Sequence, residues 1–378
     1  MVFNRIQNIE SFQEPGRVVM MYGPRRVGKT TMLKTYLAEL PADVAKKYDV
    51  GDDIALRQLF GSRVRKDILD YAAPYDVLGI DEAQQIPNLG EAIKMIIDEF
   101  PEKKIILTGS SSFDLAQSVG EPLVGRHYAM QLYPPAWKEL AGSDYEKKQH
   151  LEEMLLYGSY PEILLADTLD KKQIKLKELT SSYLFKDILS FERLKSPELL
   201  LKILQALAWQ IGGEVSLNEL AKTVGESDHK KIGRYIELLE KSFVIKKIHA
   251  HSTNQRKEIK TKVKYFFYDL GVRNAIIGNF QKLALREPKD IGMLWENFVY
   301  IELVKKSELD QKYFDDFYFW RTRAGREVDI VQKTADGDIV AYECKWSFKK
   351  VVFSDFLKIY PKAKTEVASQ ENIADILR

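Results

Sequence analysis

The octapeptide Gly23-Pro24-Arg25-Arg26-Val27-Gly28-Lys29-Thr30 constrains this chain more than any other stretch. Its spacing, G-x-x-x-x-G-K-[ST], suits a loop whose glycines let the backbone curl until several N–H groups point at phosphate oxygens. The flanks agree. Val18 to Tyr22 is a short apolar run rich in β formers, as expected of a strand buried on both faces, and Thr30 to Leu40 has helical spacing. The order strand, glycine loop, helix sets a positive helix terminus behind the loop. Gly23 to Thr30, with Thr31 after it, therefore reads as a cradle for the phosphates of ATP. Lys29 reaches the β- and γ-phosphates and the Thr30 hydroxyl ligates Mg²⁺.

Val77-Leu78-Gly79-Ile80-Asp81-Glu82 is a buried-strand run ending in an acidic pair. Open α/β sheets bind ligands outside the carboxyl ends of their strands, where such a run delivers its carboxylates. Asp81 is expected to hold the Mg²⁺ and Glu82 to polarise an attacking water. That pair argues for hydrolysis over transfer to a bound acceptor. Lys104 to Thr108 is a third buried run and leads into Gly109-Ser110-Ser111. Thr108 or Ser110 contacts the γ-phosphate or the water, or else forms a strand-capping turn. Arg126, in Leu123-Val124-Gly125-Arg126, is either a γ-phosphate sensor, acting within the chain or across an interface, or an ordinary surface arginine.

At 378 residues the chain is too long for one ordinary core. Hydrophobic residues make up 45% and charged residues 30%, the profile of a soluble folded protein. A formal charge of +2 exerts no global pull on nucleic acid, so any such contact must come from local patches. The single cysteine, Cys344, rules out an internal disulfide and a cysteine-based zinc site, and favours a reducing compartment. Met1 to Glu10 contains no apolar core of a signal peptide, and no apolar run approaches the ~20 residues that span a bilayer. A cytoplasmic protein without membrane segments is expected.

Strand-like and helical segments alternate over residues 1–136, which implies a parallel α/β core. Residues 137–196 read as helical throughout, broken by Gly158 and Pro161, and are expected as a lid or connector. Over 197–280, helical spacing at Glu198 to Gln210, Leu217 to Val224 and His229 to Lys241 precedes strand runs at Phe243 to Ile248 and Val263 to Tyr268. Three helices and a hairpin is the order of a winged helix. His229-Lys230-Lys231-Ile232-Gly233-Arg234 opens the third helix, the one that enters the major groove in helix-turn-helix proteins, and His251 to Lys257 is the candidate wing. The opposing reading is a module whose charges form a solvated face, with Glu226 and Asp228 weakening the basic patch.

Residues 281–378 hold a helical stretch, Gly292 to Lys305, then strand runs at Asp316 to Arg321, Glu327 to Gln332 and Ile339 to Lys345, with turns at Ala324-Gly325 and Asp336-Gly337. Glu343 and Lys345 lie two apart on one strand and share a side. With Asp329 on the preceding strand and Glu296 on the helix, they form a possible nuclease site, carboxylates for Mg²⁺ or Mn²⁺ and a lysine to orient water. The alternative is a solvated ion pair at a strand edge. The pattern resembles the PD-(D/E)xK nuclease core.

GPRRVGKTTML, the strand ending in IDEAQ, TGSSSFDL, and LVGR followed by LYPPAWKEL resemble a prokaryotic family of AAA-type ATPases joined to a C-terminal domain of unknown function. YGSYPEILL, SSYLFKDIL and WENFVYIEL are similar to that second domain. Pro135-Ala136 stands where the family more usually has Leu-Ser. The resemblance implies an α/β fold: a P-loop AAA-like parallel sheet with a helical lid, a winged helix and a restriction-endonuclease-like C-terminal α/β domain. Two functions are open. In one, Mg-dependent ATP hydrolysis repositions DNA-facing C-terminal modules, with or without nuclease activity. In the other, ATP drives a protein-interaction switch built on an inactive nuclease-like domain.

Overall fold

The computed structural model describes residues 2–109, 123–184, 196–251, 263–322 and 324–378. They fall into two compact units, one of Gln7–Tyr133 with Lys241–Phe243, the other of Met1–Ile6, Pro134–Glu240 and Val244–Arg378.

The first unit is a parallel α/β layer. Its elements are β1 (Val18–Tyr22), α1 (Lys29–Glu39), β2 (Lys46–Val50), α2 (Ile54–Gly61), α3 (Arg65–Ala72), β3 (Val77–Asp81), α4 (Leu89–Glu99), β4 (Lys104–Gly109) and β5 (His127–Gln131). The five strands run in the order β2-β3-β4-β1-β5, and every pairing is parallel. The three apolar runs of the sequence are the three central strands. The edge strands β2 and β5 carry Lys, Asp, His and Gln and are only part-buried, so they lack the continuous apolar run of the central strands. Phe60 of α2, Ile68 of α3 and Ile93 and Ile96 of α4 pack with Leu78, Ile80, Ile105 and Leu107 of the sheet. Because the strands are parallel and in register (Tyr22 beside Gly109, Val50 beside Asp81), their carboxyl ends share one edge.

The second unit contains the helices α5 (Asp144–Gln149), α6 (Leu151–Tyr157), α7 (Pro161–Leu164), α8 (Leu169–Glu178), α9 (Pro197–Trp209), α10 (Leu217–Val224), α11 (His229–Lys241), α12 (Leu270–Ile277), α13 (Pro288–Leu309), α14 (Ser354–Ile359) and α15 (Ile373–Leu377). The three helices expected after residue 196 are present, followed by β7 (Ile245–Ala250) and β8 (Val263–Phe267), with the short β6 (Glu214–Val215) beside β8. The candidate wing beyond His251 lies outside the described residues. The C-terminal strands β9 (Asp316–Arg321), β10 (Glu327–Lys333) and β11 (Ile339–Cys344) match expectation to within a residue or two, and β12 (Lys364–Ala368) adds to them. All seven strands form one mixed sheet in the order β12-β11-β10-β9-β7-β8-β6. The hairpin and the C-terminal strands meet where β7 pairs parallel with β9, His249 beside Tyr318 and Ala250 beside Phe319. Helix α13 is longer than its periodicity suggested, 22 residues, with both faces largely buried. Among the described residues no helix is long and apolar enough to cross a membrane.

A buried polar network ties this unit together. Asp269 caps α12, accepting from the Val272 N–H at 3.0 Å, and also accepts from the Ser159 N–H at 2.7 Å. Lys305 on α13 donates to Glu302 at 2.7 Å and to the Ser159 hydroxyl at 3.3 Å, and Glu302 accepts from the Trp137 N–H at 2.6 Å. Ala136 is buried in the same region, where its N–H donates to Glu139 at 3.0 Å. The YGSYPEILL and WENFVYIEL stretches thus supply partners to one network in which each buried charge is met.

Removing Asp269 strands two buried N–H groups, whereas Ser216 caps α10 at the surface. All five tryptophans lie in this unit, so their fluorescence in urea reports its unfolding. Asp269→Ala is expected to cost about 3 kcal/mol and Ser216→Ala about 1 kcal/mol. Equal losses would show that the network does not hold the unit.

Candidate functional site

The loop after β1 turns through two left-handed residues, Arg26 (φ 61°) and Gly28 (φ 101°), the second being the N-cap of α1. Gly23 has no room for a side chain, since a Cβ there would lie 2.0 Å from the Leu132 carbonyl oxygen. Pro24 and Val27 are buried, Arg25 and Arg26 half-buried, and Thr31 exposed. Lys29 is only 5% exposed, and its ammonium donates to the carbonyls of Gly23 and Pro24, both at 2.8 Å. The lysine is thus folded back across the loop, and its charge is satisfied there.

Asp81 ends β3 at the same sheet edge and is 4% exposed. One of its oxygens, Oδ2, accepts from the Thr30 hydroxyl at 2.7 Å and from the Tyr48 hydroxyl at 3.1 Å; the other accepts a short hydrogen bond from the Thr108 hydroxyl. Burial, with the charge of Asp81 beside it, pushes the Tyr48 phenol up to about 12, so it donates at neutral pH. A buried carboxylate ringed by hydroxyls, one of them from the first turn of α1, is a donor set that suits a hard divalent cation.

Glu82 follows in a left-handed conformation, φ 49° and ψ 41°. Its N–H donates to the Thr108 hydroxyl at 3.2 Å, and its carboxylate accepts from the Gln84 side chain at 2.6 Å. Gly51 holds it from the other side. The Gly51 N–H donates to the Asp81 carbonyl at 2.7 Å, and a Cβ on Gly51 would lie 2.2 Å from the Glu82 carbonyl oxygen. A non-glycine residue held in this conformation next to the Asp81 carboxylate marks a constrained site. Tyr48, in the middle of β2, and Gly51, just after it, were not foreseen from the sequence; the signal available was the Gly51-Asp52 turn after a weak strand pattern.

Ser110 lies outside the described residues. Arg126 is not brought to the loop. It directly precedes β5, its carbonyl accepts from the Val18 N–H at 3.0 Å, and its guanidinium pairs with Asp98. That is the amino-terminal edge of the sheet, about 16 Å from the loop at the rise of a five-residue strand.

The four C-terminal candidates do come together. Lys345 is 2.9 Å from Glu343 and 3.9 Å from Asp329, and the Cys344 N–H donates to Asp329 at 2.8 Å. Burial pushes Glu296 up to about 8 despite the nearby Lys264, with Asp329 adding to the rise; burial likewise raises Asp329 and Glu343. The unforeseen member is Lys264, on β8. Its ammonium lies 2.9 Å from Glu296 and 2.6 Å from Glu327. Beside Glu343 and Lys345 opens a cavity of about 590 Å³, also lined by Arg326, Lys350 and Asp355. Among the described residues no group of three or more His, Cys, Asp or Glu side chains is arranged to hold a metal ion. At the start of α11, His229, Lys230 and Arg234 are exposed, while Lys231 is paired with Glu226 at 2.7 Å.

Residues 15–141 match the model of an AAA domain, and residues 148–283 and 291–373 match two domains of unknown function, DUF8612 and DUF4143. An uncharacterized protein of Haemophilus influenzae is 24% identical over 363 residues, covering 88% of this chain and 84% of that protein. Another, from Methanocaldococcus jannaschii, is 25% identical over 354 residues, covering 87% and 75%. Among solved structures, the replication initiator DnaA bound to AMPPCP and single-stranded DNA matches 61% of this chain and 84% of its own at 18% identity, with a TM-score of 0.32. The unit that carries the loop and the acidic pair is AAA-like.

Gly51→Ala must displace the Glu82 main chain. It is expected to speed hydrogen exchange at the Glu82 amide about tenfold or more, with little change at the amides of α3. Unchanged exchange would show that Gly51 does not hold Glu82 in place.

Proposed function

We propose that this chain binds Mg·ATP and hydrolyses it at the loop of residues 23–30. One observation carries the reading: the Thr30 hydroxyl and the Asp81 carboxylate, from elements 51 residues apart, meet at 2.7 Å at the carboxyl edge of a parallel sheet, beside a glycine-pinned loop. Loop N–H groups and the α1 terminus bind phosphate oxygens. Lys29 exchanges the carbonyls of Gly23 and Pro24 for the β- and γ-phosphates. Thr30 and Asp81 hold the Mg²⁺, which neutralises charge on the phosphates when bound. Glu82 orients the attacking water and takes its proton, with Thr108 fixing its main chain. Thr31, Ser110 and the remaining loop residues complete the nucleotide contacts. Arg126 lies at the opposite sheet edge, so its part in this reading is at the nucleotide of a neighbouring copy.

The division into residues 1–136, 137–196, 197–280 and 281–378 belongs to this proposal, with a winged helix third and a nuclease-like domain last. In the first form of the reading, hydrolysis repositions those last two parts against DNA. In the second, the C-terminal domain is catalytically inactive and hydrolysis switches a protein contact; the Lys264 ammonium among the carboxylates favours this form.

Lys29→Ala is expected to abolish ATP binding in equilibrium dialysis, and near-wild-type binding would remove the loop from the site. Glu82→Gln is expected to retain ATP while losing turnover about 100-fold or more in a phosphate-release assay. Stimulation of turnover by DNA favours the first form, and indifference to DNA the second. Cleavage of circular DNA that disappears in Lys345→Ala would establish a nuclease.

A further inference from the structure

Lys264 lies on the β8 strand, paired with Glu214 of β6 on one side and Ile248 of β7 on the other. The carboxylates around it come from elsewhere, Glu296 from α13 and Glu327 and Asp329 from β10. The lysine is 2% exposed. An ammonium so deep is expensive to bury unless carboxylates compensate it, and here two do, at 2.9 and 2.6 Å. The face of the Phe319 ring, 5.2 Å from the ammonium, closes another side.

Other carboxylate oxygens near the centre are also engaged. Asp329 accepts from the Cys344 N–H, and Lys345 bridges Glu343 and Asp329. The second oxygen of Glu296 faces Gly212, where even a Cβ would sit 3.0 Å away. A divalent cation needs several oxygens free to converge on it at close range, and one oxygen each of Glu296, Glu327, Asp329 and Glu343 faces an ammonium group instead.

We infer that Lys264 is the resident cation of this cluster: it occupies the place between Glu296 and Glu327 that a divalent metal would require, so the native chain takes no Mg²⁺ or Mn²⁺ there, and removing this one ammonium frees the Glu296 and Glu327 carboxylates to take such a cation in its place. The inference holds whether or not the domain descends from nucleases. It also means that the cation which closes the cluster is delivered by the hairpin that follows the three helices, while the carboxylates belong to the C-terminal strands and helix.

The test is a Mn²⁺ titration of nucleotide-free protein, following the free-ion signal by electron paramagnetic resonance. Wild type is expected to show no Mn²⁺ site that Glu327→Gln removes. Lys264→Gln is expected to bind one Mn²⁺ about tenfold or more tighter than wild type, and Lys264→Gln with Glu327→Gln to lose it again. Lys264→Met, which replaces the buried stem with an apolar one of similar length, is expected to behave as Lys264→Gln does. The wild-type titration decides by itself if neither variant folds: a Mn²⁺ site abolished by Glu327→Gln overturns the inference, and its absence upholds the closed cluster. Folded Lys264 variants that bind no Mn²⁺ also overturn it.

Discussion

Parallel register in the five-stranded sheet is the constraint on which the proposed nucleotide site rests. A carboxylate on β3 and a hydroxyl at the start of α1 are distant in the chain, and only alignment of the carboxyl strand ends brings them to 2.7 Å. The central strands are buried along nearly their whole length, so a slip of register by one residue would swap every side chain between the two packed faces and break their fit. Hydrophobic packing therefore sets the position of the acidic pair. The hydrogen bonds from Thr30, Tyr48 and Thr108 then fix the orientation of the Asp81 carboxylate within that position.

The second unit follows a different logic. Its cohesion depends on buried charges that are each matched: Asp269 by main-chain N–H groups, Lys305 by Glu302, and Lys264 by Glu296 and Glu327. Such groups cost free energy unless all are satisfied together, which makes them specific but intolerant of piecemeal change. The same property explains why a pattern of acidic residues is not yet a metal site. Four carboxylates come together in the C-terminal fold, and lysines already answer them.

The loop, the acidic strand and most C-terminal strands were legible because each rests on a local signal: a glycine spacing, an apolar run or a turn. Strands β2 and β5 were not, because an edge strand of a parallel sheet tolerates polar residues and loses the continuous apolar signature. Gly51 and Lys264 escaped for a related reason. Their importance comes from what approaches them in space, Glu82 in one case and Glu296 with Glu327 in the other, and neither partner is near in sequence. Arg126 shows the converse. Its place after a glycine fits a phosphate sensor, yet strand direction carries it to the edge away from the loop. Topology decides such matters, and spacing does not encode it.

The most direct test of the central claim is a calorimetric titration of the whole chain with a non-hydrolysable ATP analogue, with Mg²⁺ and then with a chelator. Saturable binding of one nucleotide per chain is expected, weakening sharply when Mg²⁺ is removed, because the Thr30 and Asp81 side chains engage the nucleotide only through the cation. Absence of binding, or binding indifferent to Mg²⁺, would contradict the claim.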